Sequence, residues 1–350
     1  MASGTVSFGA IERLLLLGGS WLTAELCRRL AGGRLGLALF AGRRHLEDAL
    51  DTEGTTLRAL VERLGVPHVA TDDINCEPRL GEFLTERTLG IALGAPWVFE
   101  REVRARFGGR LLDFMGIPLP QLRGGAHYCW QILQGSRRGA CHLQIIHGGA
   151  DTFHRGAVIK SRDYLFPAGA RTPQDYFDAS VPIETAFVLE FLDEVAQGRA
   201  FAWQPLQEQF STYFPFLSTL RQGYIDWRWS TDEIERFICA FDRPYRGAST
   251  FLDGQRLFLR ECHAERVDGT FHPFQAGLVY RVTPEALFIA TRDGAIVARD
   301  VQDEGGRRVV ERVRAGQRLL TPQAVLDEAL RFEAVYDARG LVEPAHESTR

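Results

Sequence analysis

Two acidic residues stand where an apolar segment gives way to a glycine-containing loop. Asp113 follows the apolar pair at 111–112 and precedes a turn rich in glycine and proline, and Asp151 follows the glycines at 148–149. A rigid sheet aims the side chains at its strand ends into a crevice, where carboxyl groups are well placed for chemistry. The segment from residue 111 to residue 159 is therefore the predicted chemical centre of the chain.

Three histidines could supply an imidazole close to these acids. His147 and His154 flank Asp151 in the same loop, and His127 follows the Arg-Gly-Gly turn at 123–125. His154 is the favoured functional candidate, because its loop adjoins the acid. His127 fits a substrate contact and a hydrogen-bonded surface residue equally well. The arginine of the turn is expected to bind an anion or to close the turn.

The elements that must position these residues alternate between strands and helices. Continuous apolar runs predict strands, and amphipathic segments between them predict helices. The strands are predicted at 11–17, 35–40, 66–69 and 89–93, and the helices at 21–30, 55–64 and 100–107. This alternation is typical of a doubly wound α/β sheet. The turn at 18–20 lacks the third glycine of a dinucleotide fingerprint, so we interpret it as a plain strand-to-helix turn.

The rest of the chain predicts a long helix, a linker and a second domain. Thr172 and Pro173 begin a helix that reaches about residue 197, with Pro182 as the expected point of any break. Aromatic residues fill the following segment, which indicates a linker strapped across the first domain. Short β segments then follow a capped helix at 230–241, which is typical of a small barrel or an open β module. The predicted division is 1–200, 201–225 and 226–340.

The composition is that of an ordinary globular protein, and 350 residues favour two domains. A net charge of −4 offers no basic face for nucleic acid. Six cysteines without a CxxC pair indicate reduced thiols and not a disulfide frame or a zinc knuckle. The apolar run at 14–17 is too short for a membrane span or a signal peptide. We expect a cytoplasmic protein with a small-molecule substrate and no nucleic-acid or membrane partner, and a homodimer is left open.

Several short motifs follow one another along the chain. They are Gly109–Met115, Leu119–Gly125, Trp130–Ile132, Gly149–Thr152, Arg171–Pro173, Tyr213–Pro215, Ile225–Trp227 and Arg243–Ala248. In this order they resemble the folate-dependent formyltransferases over about residues 10–300. The resemblance is closest to the enzymes that formylate amino sugars on nucleotide carriers, and methionyl-tRNA formyltransferase is a more distant relative.

The resemblance implies a Rossmann-like formyltransferase domain and a small, barrel-like, β-rich C-terminal domain. It also implies a transferase of one-carbon metabolism that uses 10-formyltetrahydrofolate and a nucleotide-linked amino sugar, with no metal. The expected cofactor-binding residues are Leu93, Gly94, Ala95, Trp97, Gly148 and Gly149. The expected substrate-binding residues are Met115, Arg123, Gly124, Gly125, His127 and Tyr213.

The chain departs from the family at the catalytic motif. The family uses an Asn and a His in an Asn-x-His motif, together with the Asp of the later loop. Asp113 and Met115 stand at the first two positions, and only Asp151 remains. Removal of an oxyanion-hole donor costs roughly 2.7–4 kcal/mol in barrier. An ionised Asp113 would also repel the oxyanion, and Met115 donates no proton.

Three interpretations of this departure stay open. In the first, the site is rebuilt with Asp113, Asp151, His154 and His147 as catalytic residues, and the two acids share a proton. In the second, catalysis has been lost, and the fold serves as a ligand-binding or regulatory protein. In the third, the two acids and a loop histidine bind a metal, although no recognised ligand spacing supports this.

Overall fold

The computed structural model describes residues 4–50, 54–146, 156–266, 271–337 and 339–342. The strands up to residue 214 are β1 (Gly4–Val6), β2 (Arg13–Leu17), β3 (Gly36–Ala41), β4 (His68–Ala70), β5 (Thr88–Leu93), β6 (Leu111–Met115), β7 (Arg123–Gly124), β8 (Arg138–Ile145), β9 (Ala157–Leu165), β10 (Phe201–Trp203) and β11 (Tyr213–Phe214). The helices up to residue 222 are α1 (Trp21–Leu30), α2 (Arg43–Glu47), α3 (Leu57–Arg63), α4 (Leu80–Phe83), α5 (Arg101–Phe107), α6 (His127–Leu133), α7 (Pro173–Ala196) and α8 (Thr219–Gln222).

The C-terminal part adds two more helices and seven strands among the described residues. The helices are α9 (Thr231–Ala240) and α10 (Gln323–Arg331). The strands are β12 (Ala248–Leu252), β13 (Gln255–Glu265), β14 (Val279–Val282), β15 (Leu287–Ala290), β16 (Ala295–Asp303), β17 (Val335–Asp337) and β18 (Gly340–Val342). Single 3-10 turns occur at Ile74–Cys76, Glu208–Phe210, Pro273–Gln275 and Val310–Arg312.

A mixed sheet forms the centre of the N-terminal part, with the order β4-β3-β2-β5-β6-β8-β9 in the described chain. The first five strands are parallel, and β8 and β9 each run antiparallel to the strand before them in the sheet. The carboxyl ends of β2, β5 and β6 therefore lie side by side. The four predicted strands and three predicted helices all form within two residues of their expected bounds.

Both faces of this sheet are covered. Leu14 and Leu16 of β2 belong to a core that includes residues of α1, α3 and α7. Leu15 and Leu17 point to the opposite face and belong to a core that includes residues of α5. Burial on both faces explains why the strand reads as a continuous apolar run. The predicted α/β class with a Rossmann-like first part is thereby confirmed.

Helix α7 begins with a complete capping box. The Thr172 hydroxyl accepts a hydrogen bond from the Asp175 backbone N–H, and the Asp175 carboxylate accepts one from the Thr172 N–H. Pro173 occupies the first turn, where its missing N–H costs nothing. The helix continues through Pro182 without the break that the sequence suggested.

The segment after α7 is bound to the N-terminal part by backbone pairing. Strand β10 pairs with β1, and Gln204 forms a bridge to Val158 of β9. Strand β11 runs parallel to β7. The indole N–H of Trp130 donates to the Pro215 carbonyl oxygen at 2.8 Å. These contacts hold the aromatic segment across the edge of the central sheet.

The C-terminal sheet is antiparallel, with the order β12-β13-β16-β15-β14 in the described residues. Its outer strands β12 and β14 do not pair with each other, so the barrel-like expectation is wrong and the open β module is the correct alternative. Closure is not needed, because neighbouring segments cover both edges. Tyr224 bridges to Ser249 at one edge, and Arg318 bridges to Leu278 beside the other.

A shared core joins the two parts. Residues of α6, such as Cys129 and Ile132, are buried in the same cluster as Ile234 of α9 and Leu259 of β13. The domain boundaries at 200 and 226 therefore stay a prediction. Within the described residues, no helix has the length and apolar character that crossing a membrane requires.

Candidate functional site

A cavity of about 580 Å³, here called the first cavity, lies at the carboxyl ends of β2, β5 and β6. The strand order reverses at this point, because the chain passes from β2 to β3 on one side and from β5 to β6 on the other. Ligands of open α/β sheets bind at such switch points. The volume also lies within the usual range of small-molecule sites.

The turn after β2 brings two strand ends together. Gly18 has a φ of +113°, and a Cβ atom there would lie 2.6 Å from the Ala95 backbone nitrogen. Glycine is therefore required for this close approach. The Ser20 hydroxyl then accepts a hydrogen bond from the Thr23 N–H and caps α1. This geometry is that of a strand-to-helix turn, as we interpreted it from the sequence.

Asp113 lines the first cavity from the end of β6. Burial raises the pKa of its carboxyl group to about 7. No described residue forms a hydrogen bond to this carboxyl group. A sizeable neutral fraction therefore exists at neutral pH, and a neutral carboxyl group donates a hydrogen bond that a carboxylate cannot.

Gln144 lies directly opposite Asp113 in the antiparallel pair of β6 and β8. Side chains at such positions have Cβ atoms about 4.5–5.5 Å apart on the same face. Gln144 is 1% exposed, and its amide nitrogen donates to the Gly156 carbonyl oxygen at 3.1 Å. Its amide oxygen has no hydrogen-bond partner among the described residues. The sequence did not single out Gln144, because the register of β8 cannot be read from its apolar run.

The Arg-Gly-Gly turn holds the linker beside the cavity. A Cβ atom on Gly124 would lie 1.9 Å from the Phe214 carbonyl oxygen, because β11 packs directly on β7. The Arg123 guanidinium forms an ion pair with Glu208 at 3.1 Å. The turn thus has a structural role, and Gly125 also lines the first cavity.

His127 begins α6 and lines the first cavity. Its Nε2 atom contacts the Gly124 carbonyl oxygen. Burial lowers the pKa of His127 to about 4. The ring is therefore neutral at physiological pH, and it does not supply the imidazolium that stands in the family's motif.

Met115 lines the first cavity and packs with Ile117 and Leu122 without filling the space. His142 lies opposite Met115 on β8, and its Nε2 atom accepts a hydrogen bond from the Leu119 N–H at 3.3 Å. Burial lowers the pKa of His142 to about 4. This arrangement agrees with the sequence-based interpretation of His142 as a core residue.

The helical wall of the first cavity carries a carboxyl group that the sequence analysis missed. Glu184 of α7 is 5% exposed and lines the cavity. The hydroxyls of Tyr128 and Tyr164 lie 3.3 Å and 3.4 Å from its Oε1 atom. Burial raises the pKa of Glu184 to about 7, although these tyrosines oppose the shift. The sequence feature that could have revealed Glu184 is its helical spacing. It lies four residues after Ser180 and three before Phe187, and therefore on the apolar face of α7.

Part of the predicted site falls outside the described residues. These positions are His147, Gly148, Gly149, Asp151 and His154. Of the remaining candidates, the first cavity brings together Leu93, Gly94, Ala95, Trp97, Asp113, Met115, Gly125 and His127. Within the described chain, no group of three or more His, Cys, Asp or Glu side chains could hold a metal ion. The metal interpretation invoked Asp151 and a loop histidine, so it stays a hypothesis.

A second cavity of about 1110 Å³ adjoins the first. The two share lining residues, among them His45 and Trp97. Six arginines and three acids line the second cavity, and three of the arginines, Arg43, Arg123 and Arg339, form ion pairs with Asp72, Glu208 and Asp73. Arg123, Gly124 and Tyr213, which were expected to contact substrate, line this second cavity.

Comparison with known proteins gives the first cavity its family context. Residues 218–314 match the family described as formyl transferase, C-terminal domain. The methionyl-tRNA formyltransferase of Desulfotalea psychrophila is 30% identical over 202 residues, which are 57% of this chain and 58% of that protein. The chain is related to the folate-dependent formyltransferases. This chain spans a little under three fifths of the length of this curated relative. The predicted resemblance to the folate-dependent formyltransferases is confirmed, and the closer likeness to the sugar-modifying enzymes stays a prediction.

Solved formyltransferases share the fold. The sugar 3N-formyltransferase WlaRD, solved with dTDP and 5-N-formyl-THF, has a TM-score of 0.59 at 15% identity, covering 83% of this chain and 98% of that one. An N-formyltransferase from Helicobacter canadensis, solved with folinic acid and dTDP-3-aminofucose, has a TM-score of 0.58 at 13% identity, covering 83% and 99%. At such identities the likeness concerns the fold alone.

The lining of the first cavity fits a folate ring system through its apolar wall. Leu93, Trp97 and Phe99 line this wall. His45 Nδ1, Trp97 Nε1 and Gln144 Oε1 are buried without a hydrogen-bond partner in the described chain, and none of the three atoms is open to the cavity. They would pair with the edge of a heterocycle only after a side-chain rotation, which would recover the cost of about 1–3 kcal/mol that an unpaired buried polar group carries.

Proposed function

We propose that this chain transfers a formyl group from 10-formyltetrahydrofolate to the amine of a small metabolite, with a nucleotide-linked amino sugar as the acceptor. The observation that carries the proposal is the position of Asp113. This carboxyl group lines a ligand-sized cavity at the strand switch point of a chain related to folate-dependent formyltransferases.

Asp113 would act in its neutral form. A neutral carboxyl group at this position donates a hydrogen bond, as the family's Asn amide does, and could stabilise the oxyanion that forms when an amine attacks a formyl carbon. The raised pKa supports this role, because it keeps the neutral form populated up to about pH 7. Asp151, His154 and His147 stay proposed partners in this rebuilt site.

The backbone at Leu93, Gly94 and Ala95 would hold the folate, with Trp97 and His45 beside it. Gly148 and Gly149 stay proposed contacts of the folate. 10-Formyltetrahydrofolate would supply the formyl carbon. The buried walls of the first cavity would exclude bulk water from the reacting groups.

The second cavity supports a phosphorylated acceptor. Its arginine-rich wall suits a diphosphate, because guanidinium groups pair with phosphate oxygens in a bidentate way. The two fold neighbours with bound dTDP or dTDP-3-aminofucose point to the same acceptor class. Methionyl-tRNA is the competing acceptor, since the curated relative acts on it.

A second candidate function is a non-catalytic protein that binds a folate, a nucleotide sugar or a regulatory partner. The replacement of the family's Asn and His by Asp113 and Met115 favours it. A metal-assisted reaction on the same fold is a weaker alternative, because no recognised ligand spacing supports it.

The test combines the wild-type protein and 10-formyltetrahydrofolate with dTDP-3-aminofucose or, separately, with methionyl-tRNA. Mass spectrometry detects the formylated product, and a titration measures folate binding. We expect a formylated amino sugar from the wild-type protein and almost none from Asp113→Ala. Folate binding without turnover on either acceptor would support the non-catalytic candidate. Formylation of the tRNA alone would overturn the proposed acceptor.

A further inference from the structure

Glu184 lies on the buried face of α7, where acids are rare. Its neighbours on that face are Tyr176, Ser180, Phe187 and Phe191, all of which are buried. Removing a carboxyl group from water is costly unless hydrogen bonds or an opposite charge compensate. The fold nevertheless places this acid on the wall of the first cavity, across from the strand ends.

Among the described residues, hydrogen bonds within 3.5 Å reach one oxygen of Glu184, Oε1. The Tyr164 hydroxyl donates to Oε1. The Tyr128 hydroxyl lies within hydrogen-bond distance of two acceptors, Oε1 at 3.3 Å and the Ser180 hydroxyl oxygen at 2.8 Å. Gly116 packs against the same oxygen, because a Cβ atom there would lie 2.5 Å from Oε1. No described residue donates a hydrogen bond to the other oxygen, Oε2, within 3.5 Å, although the Ser180 hydroxyl also lies close enough to lower the pKa of the carboxyl group.

No described cation balances this carboxylate. Lys160 and Arg162 of β9 lie against the ring of Phe187, which is on the same helix as Glu184. These two cations form ion pairs with Glu190 and Glu194 instead. A carboxylate that is fixed by hydroxyl groups, faces a cavity and has no counter-ion among the described residues suits a ligand that brings N–H donors or a positive charge.

We propose that Glu184 binds the ammonium group of the acceptor and accepts one proton from it. The inference rests on the proposed function, because an amine must be neutral before it attacks a carbonyl carbon. One N–H bond of the ammonium breaks and leaves its electron pair on nitrogen, while an O–H bond forms on Glu184. The charge of the pair disappears in this step, and a nucleophilic amine stays in the first cavity.

Several titratable groups face Glu184 from the packed elements. They are Tyr128 of α6, Cys141 of β8 and Tyr164 of β9, and burial raises the pKa of each of them. These three groups are therefore neutral near pH 7. Asp113 lines the same cavity from β6. The ionised form of Glu184 is the one that binds an ammonium, so amine recognition should weaken as the pH falls below about 7.

The experiment measures the binding of dTDP-3-aminofucose and of dTDP-fucose, its hydroxyl analogue, to the full chain by calorimetry. Glu184→Gln keeps the shape and the hydrogen bond from Tyr164 but removes the charge. Glu190→Gln is the matched control, since Glu190 lies on the same helix with a side chain that is 48% exposed. We expect the wild-type protein and the control to prefer the amino sugar by about tenfold to a hundredfold, and Glu184→Gln to lose that preference.

A transfer assay on the same proteins separates the possible failures. If the wild-type protein binds and formylates the amino sugar and Glu184→Gln keeps its preference and pH profile, the role of Glu184 is overturned while the proposed function stands. If the wild-type protein neither binds nor formylates the amino sugar, the proposed function fails, and the inference fails with it. Loss of the amine preference in Glu184→Gln, with dTDP-fucose binding unchanged, supports the inference.

Discussion

Two carboxyl groups line the first cavity, and their surroundings differ. Asp113 lies at a strand end without a hydrogen-bond partner among the described residues, and burial raises its pKa to about 7. Glu184 lies on a helix with tyrosine hydroxyls at one oxygen, and these hydrogen bonds offset part of the effect of burial on its pKa, which is also about 7. Hydroxyl donors favour the ionised form. In the proposed reaction these two acids with similar pKa values take opposite roles, with Asp113 as the neutral donor and Glu184 as the proton acceptor.

The removal of Asp113 tests the first half of this comparison and has the largest expected effect. Asp113→Ala removes the donor to the oxyanion, so kcat/KM for formyl transfer should fall by about a hundredfold to a thousandfold. Asp178→Ala is the control, because Asp178 is an exposed acid on α7. Steady-state kinetics on dTDP-3-aminofucose measure the change. Equal activities of the two variants would show that Asp113 has no part in the reaction.

The pH dependence of kcat/KM tests the opposite roles of the two acids. The rate of the wild-type protein should rise as Glu184 ionises and fall as Asp113 loses its proton, which gives a bell centred near pH 7. On the falling limb, kcat/KM should drop about tenfold per pH unit. Asp113→Asn keeps a neutral donor and should remove this limb. Glu184→Gln should remove the rising limb. If each variant lost the other limb, the roles would be reversed.

The stability of the fold should respond to the same two pKa values. The pKa of Asp113 rises from 3.8 to about 7 on folding, so the folded chain holds one more proton than the unfolded chain between these values. The free energy of unfolding therefore falls as the pH rises from about 4 to about 7. The difference in the free energy of unfolding between Asp113→Asn and the wild-type protein should therefore shift by about 1–3 kcal/mol in favour of the variant between pH 4 and pH 8. Denaturant titrations at both pH values measure this gain.

Glu184→Gln should show a smaller gain in the same titrations, because the pKa shift of Glu184 is smaller than that of Asp113 and because the hydrogen bonds that the variant keeps lose their charged acceptor. Its pKa rises on folding from 4.5 to about 7, which gives a shift of the same sign. A decrease in stability at pH 8 for both variants would contradict the view that each acid is destabilised by burial.

The smallest effect is expected at the hydroxyl that holds Glu184. Tyr164→Phe removes one donor to Oε1, so the pKa of Glu184 should rise and the ascending limb of the pH profile should move up by about half a unit to one unit. Tyr280→Phe on β14 is the control. An unchanged limb would mean that this 3.4 Å contact does not favour the ionised form.

Much of the fold was readable from the sequence. Continuous apolar runs separated by amphipathic segments predicted the parallel strands, and Thr172, Pro173 and Ser230 marked helix starts that the structure confirms. The barrel-like expectation failed because strand lengths and spacings do not reveal how the edges of a sheet are covered. Here Tyr224 and Arg318 bridge to the C-terminal sheet.

The site was predictable where function depends on a strand end and unpredictable where it depends on register or on a helix face. Asp113 stood out because an acid after an apolar strand reaches the crevice of an α/β sheet. Gln144 could not be recognised from the sequence, because the pairing of β6 with β8 is what places it opposite Asp113. Glu184 was hidden within a long helix, where its burial depends on the packing of α7 against α6 and β9.

The most direct test of the central claim is single-turnover formyl transfer to dTDP-3-aminofucose at about pH 7 and about pH 9, with product detected by mass spectrometry. If neutral Asp113 is the donor, the wild-type protein should form product at the lower pH and react about a hundredfold more slowly at the higher one, while Asp113→Asn should react at similar rates at both. No product at either pH, or the same decline in both proteins, would contradict the account.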